Sequence, residues 1–101
     1  MRGDLFRLRP GKDSAGHGPR YAVAIQSDGI LPSTLIVAPT STSAQAAIFR
    51  PEIELDGTRT RVLVDQMRAV DASRLGDFAG RLDARETGEV DRAVRLMLGV
   101  L

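Results

Sequence analysis

Residues 83–101, DARETGEVDRAVRLMLGVL, carry the one long helical pattern in the chain. Asp83 followed by Glu86 is typical of a capping box, in which two side chains satisfy backbone N–H groups at the start of a helix. Apolar side chains then follow the i, i+3, i+4, i+7 spacing of a single helical stripe. The stripe consists of Val90, Ala93, Val94, Met97, Leu98 and Leu101. We therefore expect a C-terminal helix whose stripe packs on the rest of the fold, with Met97 filling the core.

Upstream of this helix the chain has the pattern of short strands, because runs of apolar and β-branched residues alternate with clusters rich in Gly, Pro, Asp and Ser. The predicted strands are 4–8, 20–26, 34–38, 49–55, one or two strands within 61–70, and 76–82, with a short helical turn at 72–75. The segment DGTRT, residues 56–60, is predicted to be a turn, since Asp-Gly is typical of hairpins. Polar loops are expected at 9–19 and 39–47. Five to seven mostly antiparallel strands followed by a helix predict an α+β fold, a small half-open barrel in a single domain covering residues 1–101.

The composition excludes several classes of function. The chain has 101 residues, no cysteine and one histidine, His17. The lack of cysteine excludes disulfide frameworks, thiol nucleophiles and cysteine zinc clusters. No P-loop or dinucleotide fingerprint is present. No segment resembles a signal peptide or a membrane span, so we expect a soluble, cytoplasmic protein without a membrane partner.

The charge is distributed unevenly along the chain. Residues 1–50 carry six Lys or Arg against three Asp, whereas residues 51–101 carry eight Arg against ten acids. Thirteen of the fourteen basic residues are arginine, whose planar fork suits bidentate contacts with phosphate. A basic first half is compatible with a nucleic-acid-binding face, and a compositional bias toward arginine is the alternative.

The polar side chains left for chemistry lie at strand ends and in loops. They are His17, Arg20, Gln26, Thr40, Ser41, Thr42 and Asp65. Such a set suits cleavage of RNA, because RNA supplies its own 2′-hydroxyl nucleophile and an arginine with a hydroxyl donor can stabilise the charge that develops on phosphorus. Each residue also has a structural alternative: a surface ion pair for arginine, a turn hydroxyl for threonine and serine, a loop position for histidine, and a hydrogen-bond acceptor for aspartate.

Five motifs in order resemble the MazF/PemK family of toxins. Residues 2–6, RGDLF, resemble the family's opening before its first strand, and residues 20–28, RYAVAIQSD, resemble its R-P-V-L-V-I-Q-N-D segment. Residues 35–43, LIVAPTSTS, resemble the strand that ends in a pair of hydroxyl residues. Residues 49–55 are similar to the next strand, and residues 62–73, VLVDQMRAVDAS, to the V-x-x-D/E-Q-x-R-x-I-D segment. The resemblance covers nearly the whole chain.

The resemblance implies an SH3-like half-open antiparallel barrel with a C-terminal helix, the architecture shared by the CcdB, Kid and MazF toxins. It also implies Arg20 as a catalytic residue, Thr40 as a contact of the scissile phosphate, and Asp65 as an acidic residue of the site. The substrate-binding residues we expect are Lys12, His17, Gln26, Ser41 and Thr42. The chain departs from the family pattern where Tyr21 replaces a proline, where GKDSAGHG replaces the usual loop, and where Leu63 stands in place of an arginine.

The function implied is that of a metal-independent, sequence-specific endoribonuclease toxin without cofactors. Its expected partners are single-stranded RNA, a second copy of the chain in a homodimer, and an acidic cognate antitoxin. The alternative on the same fold is a non-catalytic toxin of the CcdB type, which binds DNA gyrase. A small interaction domain without catalysis is the third possibility.

Overall fold

A computed structural model describes residues 2–9, 20–25 and 33–100. This part of the chain forms seven strands and one α-helix. They are β1 (Asp4–Leu8), β2 (Arg20–Ala24), β3 (Thr34–Ser41), β4 (Glu52–Leu55), β5 (Thr58–Val62), β6 (Arg68–Asp71), β7 (Leu75–Arg81) and α1 (Ala84–Leu98). Two short 3₁₀ turns at Val64–Gln66 and Ala72–Arg74 join β5, β6 and β7. The predicted α+β class is therefore confirmed, as is the short helical turn near residue 72.

The strands form one antiparallel sheet in the order β4-β5-β3-β2-β1-β7. The eight-residue strand β3 is its centre, because its first half pairs with β6 and its second half pairs with β5. One strand that changes partners along its length bends the sheet, and the helix α1 packs inside the curl. The result is the predicted half-open barrel.

The core is divided between the two faces of this sheet. The larger cluster lies between the sheet and α1 and consists of Leu5, Val23, Ile25, Ala38, Ile53, Leu55, Val62, Val64, Leu82, Val90 and Ala93. A smaller cluster on the other face consists of Leu8, Ala22, Val37 and Val70. Because successive residues of a strand point to opposite faces, β2 is buried on both of them. The apolar run that begins at Tyr21 is explained by this double burial.

The helix begins as predicted but does not pack along its whole stripe. The Asp83 carboxylate accepts from the Glu86 N–H at 2.7 Å, and Glu86 Oε1 accepts from the Asp83 N–H at 3.0 Å, which completes the capping box. Val90 and Ala93 are buried, whereas Met97 is 40% exposed. The prediction that Met97 fills the core is wrong, because the buried part of the stripe ends at Ala93 and residues 95–98 of the last turn are exposed. Leu101 lies outside the described residues.

Two loop predictions are corrected by cross-strand pairing. Strand β3 continues to Ser41, where a polar loop was expected from residue 39, because Thr40 and Ser41 pair with Val62 and Arg61 of β5. The predicted turn at 56–60 contracts to two residues, Asp56 and Gly57, and β5 already begins at Thr58. Both turn residues have positive φ angles, 52° and 78°, as the tight Asp-Gly hairpin requires.

Two predicted strands also have shorter bounds in the structure. The strand predicted at 49–55 begins only at Glu52, and the segment 61–70 contributes the end of β5 and most of β6 on either side of a 3₁₀ turn. Within the described residues, no helix is long and apolar enough to cross a membrane.

Candidate active-site cavity

A cavity of about 670 Å³ opens where β2 begins, β3 ends and the β4–β5 hairpin turns. Its volume lies within the usual range for small-ligand sites. The lining residues are Arg20, Tyr21, Pro39, Thr40, Ser41, Thr42, Ser43, Leu55, Asp56, Thr58, Thr60, Leu63 and Gln66. Most of these side chains carry hydroxyl, amide or charged groups, while the buried Leu55 and Leu63 supply an apolar floor.

Arg20 is the first residue of β2 and is exposed. Its Cα lies opposite Leu8 of β1, so the sheet fixes the backbone from which the side chain extends. Within the described residues, no carboxylate pairs with the Arg20 guanidinium. This cation is therefore presented at the cavity without competition from a described acid.

Thr40 and Ser41 bring two hydroxyl groups to the same cavity from the end of β3. The Thr40 hydroxyl donates to the Tyr21 carbonyl oxygen at 3.1 Å, so its proton must leave that bond before it can reach a ligand. The Ser41 hydroxyl oxygen accepts from the Ser43 N–H at 3.2 Å and lies 3.4 Å from the Ser43 hydroxyl. Since Ser41 accepts from the backbone, its own proton can be donated to an anion in the cavity.

Asp65 lies outside the cavity lining and is held by an arginine. Its carboxylate accepts from Arg50 Nε at 3.1 Å and from Arg50 Nη2 at 2.9 Å. Hydrogen bonds from Arg50 hold the pKa of Asp65 below its ordinary value, and the same bonds raise the pKa of Arg50. Arg50 also donates to the Gln45 carbonyl at 3.3 Å, and its own carbonyl accepts from Arg61. Asp65 thus anchors the segment that follows the hydroxyl residues of the cavity.

The structure brings four of the eight predicted site residues together in this cavity: Arg20, Thr40, Ser41 and Thr42. Asp65 is separate from them, although the next residue, Gln66, lines the cavity. The predicted positions Lys12, His17 and Gln26 lie outside the described residues.

Nine further lining residues were not predicted as site residues, among them Asp56, Thr58, Thr60 and Gln66. The Asp-Gly pair gave a turn signal but no sign that the turn borders a cavity. Thr60 alternates with exposed residues along β5, so the sequence pattern indicates only that it faces inward. It lines the cavity because β5 pairs with β3. Among the described residues, no three His, Asp or Glu side chains form a group suited to hold a metal ion.

The Arg2-Gly3-Asp4 motif has a structural place. Gly3 has a φ of 86°, and its N–H donates to the Ala24 carbonyl at 2.9 Å. The Asp4 carboxylate accepts from Arg81 at 2.9 Å, and Arg2 pairs with Asp91 of α1. The motif therefore joins β1 to its neighbouring strands and to the helix, away from the cavity.

Comparisons with known proteins agree with this fold. A family model described as PemK-like, MazF-like toxin of type II toxin-antitoxin system matches residues 1–98. The chain is 46% identical, over a 105-residue alignment, to a candidate toxin of Mycobacterium tuberculosis, with 99% of this chain and 98% of the relative covered. It is 30% identical over 110 aligned residues to the endoribonuclease EndoA of Bacillus subtilis, with 99% of this chain and 95% of the relative covered. The structure of a mycobacterial endoribonuclease in complex with its cognate antitoxin superposes with a TM-score of 0.81 at 14% identity, over 100% of this chain and 96% of that chain.

The chain belongs to the PemK-like, MazF-like toxin family of type II toxin-antitoxin systems. The family predicted from the five sequence motifs is therefore confirmed. The relative at 30% identity is named an endoribonuclease, which favours the ribonuclease prediction over the gyrase-binding alternative.

Proposed function

We propose that this protein is an endoribonuclease toxin that cleaves single-stranded RNA at a short sequence without a metal ion. The observation that carries the proposal is the convergence of Arg20 with the β3 hydroxyls Thr40 and Ser41 on one cavity in a chain of this toxin family. A cation that no described acid neutralises, next to hydroxyl donors, is suited to bind a phosphodiester. The 30% identity to an endoribonuclease supports the same reaction.

The reaction we propose is an internal transesterification of RNA. The 2′-oxygen attacks the adjacent phosphorus and loses its proton, the bond from phosphorus to the 5′-oxygen breaks, and that oxygen takes up a proton. The products are a 2′,3′-cyclic phosphate and a 5′-hydroxyl end. No external nucleophile, oxidant or reductant is consumed.

The protein's part in this reaction is electrostatic. Extra negative charge develops on the non-bridging oxygens as the 2′-oxygen attacks, and a pre-positioned guanidinium stabilises that charge. Ser41 can donate to the same oxygens directly, and Thr40 can do so once it releases the Tyr21 carbonyl. A guanidinium keeps its proton in water at neutral pH and is therefore a poor base, so the role proposed for Arg20 is charge stabilisation rather than proton removal.

The partners we propose are a second copy of the chain and an acidic antitoxin. A mycobacterial endoribonuclease with the same fold has been solved with its cognate antitoxin. An acidic, partly disordered peptide could match the charge of Arg20 and become ordered as it covers the cavity. Such a partner blocks RNA cleavage, and its affinity falls as salt rises.

The direct test of the proposed function is incubation of the purified protein with a long, unstructured RNA in EDTA. We expect cleavage, with new 5′ ends that accept a kinase label without phosphatase treatment. The Arg20→Ala protein, purified in the same way, reveals any contaminating nuclease. If EDTA abolishes cleavage of an unstructured RNA and magnesium restores it, the metal-independent reaction is wrong. If no condition gives cleavage, the nuclease function itself is wrong.

A further inference from the structure

The turn between β4 and β5 brings one carboxylate, that of Asp56, to the lining of the cavity. It is the only acidic residue among the described lining residues. Within the described part of the chain, its side chain has no hydrogen-bond or ion-pair partner. An unpaired anion in a cavity that receives a polyanion is unfavourable wherever a phosphate must pass close to it.

The position of Asp56 separates it from the phosphate-binding end. Thr40 lies opposite Val62 of β5, and Asp56 precedes Thr58, the first residue of that strand. The four steps from Thr58 to Val62 span about 14 Å at a rise near 3.4 Å per residue. The carboxylate thus stands away from the reacting phosphate, at a distance where a neighbouring nucleotide of the strand would lie.

The conformation of the turn explains why a residue such as Asp or Asn occupies position 56, but it does not explain why that residue is an acid. Position 56 has a φ of 52°, which Asn and Asp tolerate better than other side chains. Asn-Gly is at least as good a hairpin turn as Asp-Gly, so the turn alone does not require an acid. The acid differs from the amide in presenting two acceptor oxygens and no donor.

We propose that Asp56 reads a guanine base at a fixed distance from the cleaved bond, an inference that rests on the proposed ribonuclease function. Bases of single-stranded RNA are recognised on their free Watson–Crick edges. Guanine alone presents two adjacent donors there, N1–H and N2–H₂, and both oxygens of one carboxylate can accept from them. Adenine and cytosine place a ring acceptor beside their amino group, and uracil places its N–H between two carbonyls, so each of these bases meets one carboxylate oxygen with repulsion.

The rest of this end of the cavity fits the same ligand. Leu55, which precedes Asp56 and pairs with Thr58, is buried and gives an apolar surface on which the face of a planar base can lie. The Thr58 hydroxyl lines the same space and can donate to the guanine O6 oxygen. Apolar surface beneath a base with polar groups around its edge is the usual composition of a small-ligand site.

The test is sequencing of cleaved 5′ ends from a random RNA pool, with the wild-type protein and Asp56→Asn. We expect guanine to be enriched at one fixed offset from the cut in the wild type. In Asp56→Asn this enrichment should fall at least ~5-fold, and adenine should rise, because an amide pairs a donor and an acceptor with the adenine edge. The substitution preserves the hairpin turn, and a thermal melt verifies the fold. Asp77→Asn removes a carboxylate that is also exposed, on β7 and outside the cavity, and should leave the base preference unchanged.

Failure of this inference is distinguishable from failure of the proposed function. If the wild type cleaves RNA but guanine is not enriched at any offset, the assignment of Asp56 is overturned. The same holds if Asp56→Asn cleaves with the wild-type preference. A wild-type protein that cleaves nothing overturns the proposed function and the inference together. A second variant, Asp56→Gly, covers the case in which Asn disturbs the turn, and it should also lose the guanine preference, since glycine adopts positive φ freely.

Discussion

Arg20 and Arg50 show how the same side chain acquires different uses at the scale of single residues. Arg50 gives two hydrogen bonds to Asp65, and its Nη1 atom donates to a backbone carbonyl, so its donors are directed within the protein. Arg20 stands at the start of a strand, exposed and without a described carboxylate partner. An arginine can bind a phosphate strongly only if no carboxylate of the protein already pairs with it. Among the described residues, Arg20 meets that condition.

Replacing Arg20 by alanine should lower the rate of RNA cleavage by at least ~100-fold, the usual loss when a main electrostatic stabiliser is removed. Thr40→Ala should lower it less, because Ser41 remains as a second donor at the same end of the cavity. Initial rates on a labelled RNA give both values. Arg92→Ala is the matched control, since Arg92 is exposed on α1 without a described partner. A folded Arg20→Ala protein with near-normal activity would contradict the assignment.

Asp65 offers a pH-dependent prediction. Its pKa is lowered in the folded protein by hydrogen bonds from Arg50, so its ion pair stabilises the fold at pH values above the unfolded pKa of about 3.9. That stabilisation is lost as the pH falls through the lower, folded pKa. Asp65→Asn should therefore melt a few degrees below wild type at pH 7, and the two should converge near pH 2.

Melting curves of both proteins at several pH values measure the effect of Asp65. The variant should also cleave RNA more slowly at neutral pH, because the segment after Ser43 is no longer anchored through Arg50. The difference in cleavage rate between the variant and the wild type should become smaller at saturating RNA concentration. A melting difference that persists unchanged at pH 2 would mean that the carboxylate charge is not the source of the stability.

At the scale of elements, Glu86 joins the helix to the edge of the sheet. One carboxylate oxygen accepts from the N–H of Asp83 in the capping box, and the other accepts from the N–H of Glu54 on β4 at 2.9 Å. Strand β4 is the terminal strand of the sheet, so one row of its backbone groups has no strand partner. A buried side chain from the first turn of α1 supplies one of the missing acceptors and covers an edge that would otherwise be open to pairing with other chains.

Glu86→Ala should destabilise the protein by about 1–3 kcal/mol, because the N–H groups of Asp83 and Glu54 both lose a charged acceptor, which removes half of the capping box. Urea unfolding at neutral pH measures the difference in the free energy of unfolding. Glu89→Ala, on the same helix, removes only an exposed i,i+4 pair with Arg85 and should cost less than about 0.5 kcal/mol. Equal effects of the two substitutions would show that Glu86 does not couple the helix to β4.

An element could be predicted from the sequence when the interactions that form it lie between residues close together in the chain. The start of α1 was predictable, since the capping box lies within four consecutive residues. The end of β3 was not, because Thr40 and Ser41 are polar and become strand only through pairing with β5, about twenty residues away. The candidate site divides in the same way: Arg20 and Thr40 were marked by their motifs, whereas Asp56 enters the cavity only when the β4–β5 hairpin folds beside β3.

At the scale of the whole molecule, four of the seven exposed large apolar side chains among the described residues lie together at the end of α1 and just after it. Leu96, Leu98 and Val100 are each at least half exposed, and Met97 is nearly so. Within the strand segments 34–38 and 61–64, Val37, Ala38 and residues 62–64 are buried, whereas Ile36 is 42% exposed. The helix end is therefore the surface that a homodimer would be expected to cover.

The last prediction follows from this surface. The wild-type protein should be a dimer at micromolar concentration, and Leu98→Asp should shift it toward monomer, because a carboxylate at the centre of an apolar contact must lose its hydration without a partner. Light scattering across a dilution series gives the mass of each protein. Gly88→Asp adds the same charge at an exposed helical position where a new side chain meets no neighbouring atom, and it should remain dimeric. A wild-type protein that is monomeric and fully active would exclude the dimer as a requirement for cleavage. A Leu98→Asp protein that stays dimeric would place the interface away from the helix end.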